Sequence, residues 1–168
     1  PCTGGSSWQR INAVAKHARA DHRNRMRKHK SLFNKLVMNL ELVASEAAKY
    51  GGKICIEWPN GNDYWNHPKI QRIVRQYQLF PVAFNGCAVD LAKEDGRLMY
   101  KPWKLMTNVP EIRDTFRGFN CTRDHEHGPC NGNDCKRSEE YTDTMVKKMQ
   151  KRGNCKYSIL SIRMQEVS

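Results

Sequence analysis

Five side chains able to bind a soft metal fall within fifteen residues of this chain: Cys121, His125, His127, Cys130 and Cys135. Thiolate and imidazole are the donors that zinc prefers, four of them in a tetrahedron. Gly128, Pro129 and Gly132 let the intervening loop fold back on itself, so four of the five can converge on one ion. The pattern therefore predicts structural zinc, although its spacing is not that of a standard zinc finger. Asp124 and Glu126 stand in the same loop. A catalytic metal with an acid beside it, as in a metal-dependent nuclease, is thus the competing reading. Five candidate donors favour a closed site over one with an open coordination position.

The second chemically suggestive stretch is Lys53-Ile54-Cys55-Ile56-Glu57-Trp58-Pro59, entered through Gly51-Gly52 and left through Asn60-Gly61-Asn62. A helical pattern stops at the glycine pair and a short apolar, β-branched run begins at once, which predicts a helix feeding a buried strand. Glu57 would then lie at the carboxyl end of that strand. In open α/β sheets, ligands and catalytic groups gather at that edge. A solvent-facing carboxylate at a strand end is the plain alternative.

Charge supplies a partner. The chain has 29 Lys and Arg against 17 Asp and Glu, a net +12 with a pI near 9.6, and such an excess points to an anionic ligand. Nucleic acid is the usual one, bound through release of phosphate counterions. Arg10, Lys16, Arg19, Arg23, Arg25, Arg27, Lys28 and Lys30 meet only Asp21 in the first thirty residues, which favours phosphate contact by this segment over a general surface excess. No apolar run is long enough to cross a bilayer, and no signal-peptide pattern opens the chain. Seven cysteines, an odd number, suit metal and free thiols better than a disulfide framework. They imply a reducing, intracellular setting, and with DNA as partner a nuclear one. A first residue of Pro rather than Met reads as a processed product or a fragment.

Helices and strands must position these groups. Thr3-Gly4-Gly5-Ser6-Ser7 reads as a flexible loop with Trp8 and Ile11 as anchors, followed by a basic helix. From Leu32 the periodicity sharpens, with Leu32, Phe33, Leu36, Val37, Leu40, Val43, Ala44 and Ala47 on one face and Gly51 as terminator. Trp65 to Gln78 reads as a helix begun near Pro68, with Ile70, Ile73, Val74 and Tyr77 inward. Phe80 to Phe84 follows as a strand and Cys87 to Leu91 as a second extended piece. Lys93-Glu94-Asp95-Gly96 marks a hairpin turn before Leu98 to Thr107, where Pro102 places its strand at an edge or an interruption. Asn108 caps a short helix through Phe116, and Ser138 opens a last helix to about Arg152 with Tyr141, Met145 and Met149 inward. Ile159-Leu160-Ser161-Ile162 is strand-like but has no evident place. Trp8, Trp58, Tyr64 and Trp65 could stack on bases, yet buried anchors are the commoner fate of such residues.

Taken together, Pro1-Cys2-Thr3-Gly4-Gly5-Ser6, a long helix, the strand ending Glu57-Trp58-Pro59, a helix, and a closing hairpin with Lys101-Pro102-Trp103 and Thr107-Asn108 resemble the second half of a methyltransferase fold. The likeness, over about residues 1 to 110, is to cytosine-specific DNA methyltransferases and to methyltransferase-like proteins often of mobile-element type. It implies that Cys2 is the thiolate that attacks the base and Glu57 the acid that contacts the ring, on a base flipped out of its stack. The chain departs from the family in following the Glu with Trp58-Pro59 rather than Asn-Val. It also has no Gln-x-Arg-x-Arg segment and no Gly-rich strand and turn for S-adenosylmethionine. That cofactor is therefore expected only in a longer protein.

The combined expectation is an α/β fold: a partial Rossmann-like methyltransferase sheet over residues 1–118, with flanking helices and a small Cys/His zinc-binding appendage over 119–168. Its function is that of a nucleic-acid-associated, methyltransferase-like domain without its cofactor half. The alternatives are a non-catalytic zinc-stabilised nucleic-acid-binding module and a metal-dependent nuclease.

Overall fold

A computed structural model of the chain describes residues 20–130, 132–150 and 159–162, together with Gly5, Ser6 and Gln9. Helix α1 (Ala20–Lys49) is a single uninterrupted element, so the basic segment and the periodic segment are one helix across the described residues. Its seam is Phe33, Val37, Leu40 and Ala44, all buried, recurring every three to four residues as a 3.6-residue turn requires. Leu36 and Ala47 are half-buried beside it. Leu32 and Val43, expected inward, lie on the flanks and are 37% and 44% exposed, because the seam is narrower than the apolar pattern. Burying Phe33, Val37 and Leu40 contributes about 1.5–3 kcal/mol each relative to exposure. The helix ends where the sequence says it should. Gly51 sits at φ +72, and the Gly51 and Gly52 amides donate to the Ala48 and Ala47 carbonyls at 3.1 and 2.8 Å, a Schellman closure.

Strand β1 (Lys53–Pro59) follows at once. Its neighbours are β2 (Phe80–Asn85), β3 (Pro102–Thr107) and β4 (Ile159–Ile162), in the spatial order β2-β3-β1-β4. β3 is antiparallel to both β1 and β2, which therefore run parallel to each other with β3 returning between them; β4 pairs parallel with β1. The segment Ile159–Ile162, unplaced by pattern alone, is thus an edge strand. Helix α2 (Pro68–Gln76) joins β1 to β2 and takes Pro68 in its first turn. The α/β class expected from the sequence holds, as a mixed sheet with helices.

Alternation along β1 divides the core. Ile54, Ile56 and Trp58 point to one face, where they pack with the α1 seam, Tyr64, Trp65, Ile70 and Ile73. Cys55 points to the other, with Phe84, Trp103, Leu105, Phe116 and Met145. That second face is covered by α3 (Pro110–Phe116) and α5 (Asp143–Gln150), with α4 (Gly132–Arg137) between them in sequence. Met145 and the half-buried Phe119, Cys130, Tyr141 and Met149 pack in the same cluster as Leu105. The Cys/His segment after residue 119 accordingly shares a core with the residues before it.

Three local expectations give way to specific contacts. Residues 87–91 are not extended: Gly86–Val89 is a 3-10 turn, and Asp90 closes it at φ 61. Asn108 does not cap α3, because its Oδ1 accepts from the Ile54 amide at 2.9 Å and so ties β1 to the end of β3, leaving Val109 at the cap. Ser138 ends α4 instead of opening the last helix, its hydroxyl donating to the Cys135 carbonyl at 2.7 Å; α5 begins at Asp143. The Asp95-Gly96 turn is as expected, with Gly96 at φ +84 and the Lys93 amide donating to the Arg97 carbonyl at 2.9 Å. Pro102 begins β3, where no ladder donor is lost.

Candidate metal centre

Strands β1 and β2 both present their carboxyl ends at the edge of the sheet where β3 starts. The chain leaving β2 turns tightly through Gly86, where a Cβ would lie 2.6 Å from Leu91 Cδ2, and this turn delivers Cys87. Asn85 anchors the second half of the site. Its amide donates to the Phe119 carbonyl at 2.9 Å and its Oδ1 accepts from the Cys121 amide at 2.8 Å, so Cys121 is fixed to the same strand end as Cys87. Farther along the loop, the Gly128 amide donates to the Leu98 carbonyl at 2.8 Å.

The result is a convergence of four donors: the ligand atoms of Cys87, Cys121, His125 and His127 all lie within 4.8 Å of one another. Cys121 Sγ is 3.3 Å from His127 Nε2 and 3.8 Å from His125 Nε2. A tetrahedral zinc ion with Zn–S of about 2.3 Å and Zn–N of about 2.0 Å sets such donors about 3.5 Å apart, so the spacing fits. Cys87 is buried and the other three are half-buried. Burial, and then the neighbouring Cys121 thiol, push the Cys87 thiol up to about 11. A divalent cation held beside the Cys87 thiol would offset that cost and stabilise it as a thiolate.

The groups around the donors are arranged for a cation. The Arg123 amide donates to Cys121 Sγ at 3.3 Å, with Arg123 in the left-handed region at φ 59. Asp124 Oδ1 lies 2.8 Å from His125 Nδ1 and accepts from the Thr122 hydroxyl at 2.6 Å. A carboxylate only accepts, so Nδ1 carries the proton and the Nε2 lone pair faces Cys121. These two hydrogen bonds, the Thr122 one first, hold the Asp124 carboxyl below its ordinary range. His127 packs edge-on against Tyr100, ring centroids 5.4 Å apart.

Of the five donors expected from sequence, Cys121, His125 and His127 come together, while Cys130 and Cys135 stand as a separate pair with their Sγ atoms 3.6 Å apart. Cys87 was not among those five. It precedes Cys121 by 34 residues, so no spacing rule joins them; the only hint was a cysteine after a glycine at a strand exit.

Glu57 is half-buried at the carboxyl end of β1, on the second face, and Tyr141 Oη donates to its Oε2 at 3.5 Å. Cys2 lies outside the described residues, as do Arg10, Lys16 and Arg19. Arg23, Arg25 and Arg27 are exposed on α1. Gly5 is buried against the turn after β1, where a Cβ would meet Asn62 Oδ1 at 2.1 Å and Tyr64 Cγ at 2.7 Å, so the opening loop needs its glycine there. Trp58, Tyr64 and Trp65 are buried anchors, with Tyr64 stacked on Phe33 at 3.5 Å between ring centroids; Trp8 lies outside the described residues. No helix among the described residues is long and apolar enough to cross a membrane. The chain matches no protein-family model, no curated protein and no solved structure.

Proposed function

We propose that this chain is a nucleic-acid-binding module whose second core is stapled by a structural zinc ion held by Cys87, Cys121, His125 and His127. The observation that carries the metal half is the convergence of two thiols and two imidazoles within 4.8 Å at a sheet edge. Zinc bound there would cross-link the β2 exit to the 121–127 loop, and a four-ligand site leaves it no open position for a reacting water. The nuclease reading is disfavoured for that reason, and because Asp124 is engaged by Thr122 and His125. The nucleic-acid half is supported by the net charge of +12 and by the exposed Arg23, Arg25 and Arg27. Purified protein should hold one zinc per chain and lose it in Cys87→Ser. Affinity for nucleic acid should fall steeply as salt rises, with little base preference if phosphates dominate. A metal-free, stably folded protein would end the first half of the reading; salt-independent binding would end the second.

A methyltransferase-like role is the second reading, favoured by the order of elements on which the resemblance rests: long helix, β1 ending Glu57-Trp58-Pro59, α2, β2 and a returning β3. In it, a longer chain with a Gly-rich strand and turn for S-adenosylmethionine uses Cys2 as nucleophile and Glu57 as acid. Methyl transfer to DNA by such a longer chain should vanish in Cys2→Ser and in Glu57→Gln. Activity that survives both substitutions would remove the reading.

A further inference from the structure

Beside the metal centre lies a second cysteine pair that it does not use. Cys130 Sγ and Cys135 Sγ are 3.6 Å apart, and Cys135 Sγ donates to the Cys130 carbonyl at 3.0 Å. Ser138 Oγ, 3.6 Å from Cys130 Sγ, accepts from Lys101 Nζ at 2.8 Å, which brings an ammonium group to the pair. Neither sulfur belongs to the group of four metal donors. Two thiols and one hydroxyl fall short of the four ligands a structural zinc takes.

We propose that Cys130 and Cys135 are a redox-active dithiol that closes to an intramolecular disulfide by exchange with a low-molecular-weight disulfide of the glutathione type. Sulfur atoms already 3.6 Å apart must approach to about 2.05 Å, a displacement within reach of the short loop that joins them. Exposure sets the order of events: Cys135 is exposed and Cys130 half-buried. Cys135 loses its proton to solvent, and its thiolate attacks one sulfur of oxidised glutathione. The glutathione S–S bond breaks and the first glutathione thiolate leaves. Cys130, deprotonated in turn, then attacks Cys135 Sγ, breaking the mixed disulfide and releasing the second. Two protein thiols are oxidised, one glutathione disulfide is reduced to two thiols, and no other oxidant is needed.

The surroundings give the exchange a pH signature. Cys135 is the more exposed residue of the pair, yet partial desolvation of its sulfur and the adjacent Cys130 thiol, with a smaller contribution from Asp134, push its thiol up to about 11 against the opposing pull of Lys101. The thiol is therefore mostly protonated at neutral pH, and disulfide formation should accelerate about tenfold per pH unit from pH 7 upward.

The test uses the full chain loaded with zinc, treated with oxidised glutathione at about pH 8.5, where more of the thiol is ionised. Free thiols are then alkylated, and the linkages are mapped by mass spectrometry. The expected product is a peptide joining Cys130 to Cys135, two hydrogens lighter than the reduced form, with Cys87 and Cys121 still alkylatable only after zinc is removed. In Cys130→Ser, glutathione should remain on Cys135. In Cys135→Ser, Cys130 should react more slowly, because it is less accessible. Linkage accompanied by oxidation of Cys87 and Cys121 would support the dithiol while overturning the metal reading. Retention of both free thiols in the wild type, or a stable mixed disulfide on Cys135 that never closes, would overturn the dithiol.

Discussion

The two faces of the sheet are held by different means. On the first, the thirty residues of α1 and the aromatic group Phe33, Trp58, Tyr64 and Trp65 supply a continuous apolar contact. On the second, the cover is made of helices of seven and eight residues joined by loops, and it is here that Cys87, Cys121, His125 and His127 converge. Short helices present little apolar surface and close few internal hydrogen bonds, so they need a constraint from outside themselves. A metal cross-link between a strand exit and a loop is such a constraint. Helix–sheet packing serves where the sequence allows a long amphipathic element, and a metal ion held by the four donors would supply the constraint where it does not.

The largest expected effect separates the faces directly. Structural zinc in small folding units supplies about 10–16 kcal/mol of apparent binding energy, comparable with the about 5–15 kcal/mol that holds a whole domain. Chelation, or Cys121→Ser, should therefore disorder the second face first. In methyl NMR spectra the Met99 and Met145 signals should collapse while those of Ile70 and Ile73 persist. Unchanged Met145 signals in the metal-free protein would erase the distinction between the faces.

Next in size is the reciprocal experiment. Phe33→Ala removes the ring stacked on Tyr64 and tilted against Trp58, and should cost about 3–5 kcal/mol in urea unfolding, with zinc affinity unaltered. A matching loss of zinc affinity would mean that the two faces are not separable. Within the metal centre, Asp124→Asn keeps the shape but removes the charge that fixes the His125 tautomer. It should weaken zinc binding about 10- to 100-fold in a chelator competition, with Asp124→Glu restoring part of it. An affinity within twofold of the wild type would show that the carboxylate is incidental.

Per unit of pH, the smallest effect is at the sheet itself. Burial pushes the Cys55 thiol up to about 12 from an ordinary 9.0, so above pH 9 the unfolded chain has released this proton while the folded chain retains it. Stability should then fall as pH rises, by up to about 1.4 kcal/mol per unit between those two values. Cys55→Ala should lower stability at neutral pH and flatten that alkaline slope; an unflattened slope would place the titration elsewhere.

What could be read in advance follows the range of the interactions. The α1 seam, the Gly51-Gly52 stop, β1 and the Asp95-Gly96 turn depend on neighbours within a few residues, and pattern reveals them. Local chemistry makes Asn108 a helix cap, yet a bond to the Ile54 amide claims its side chain. Ser138 is by the same local logic a helix start, and its hydroxyl instead meets Cys135 and Lys101.

The metal centre shows the division most clearly. The amino-acid order by itself determined that a Cys/His loop would exist, because the donors Cys121, His125 and His127 fall within seven consecutive residues. Only tertiary structure decided that the fourth donor is Cys87 and that Cys130 and Cys135 pair with each other. A ligand 34 residues away along the chain is brought close by the strand that carries it, and that strand's position is fixed by the whole sheet.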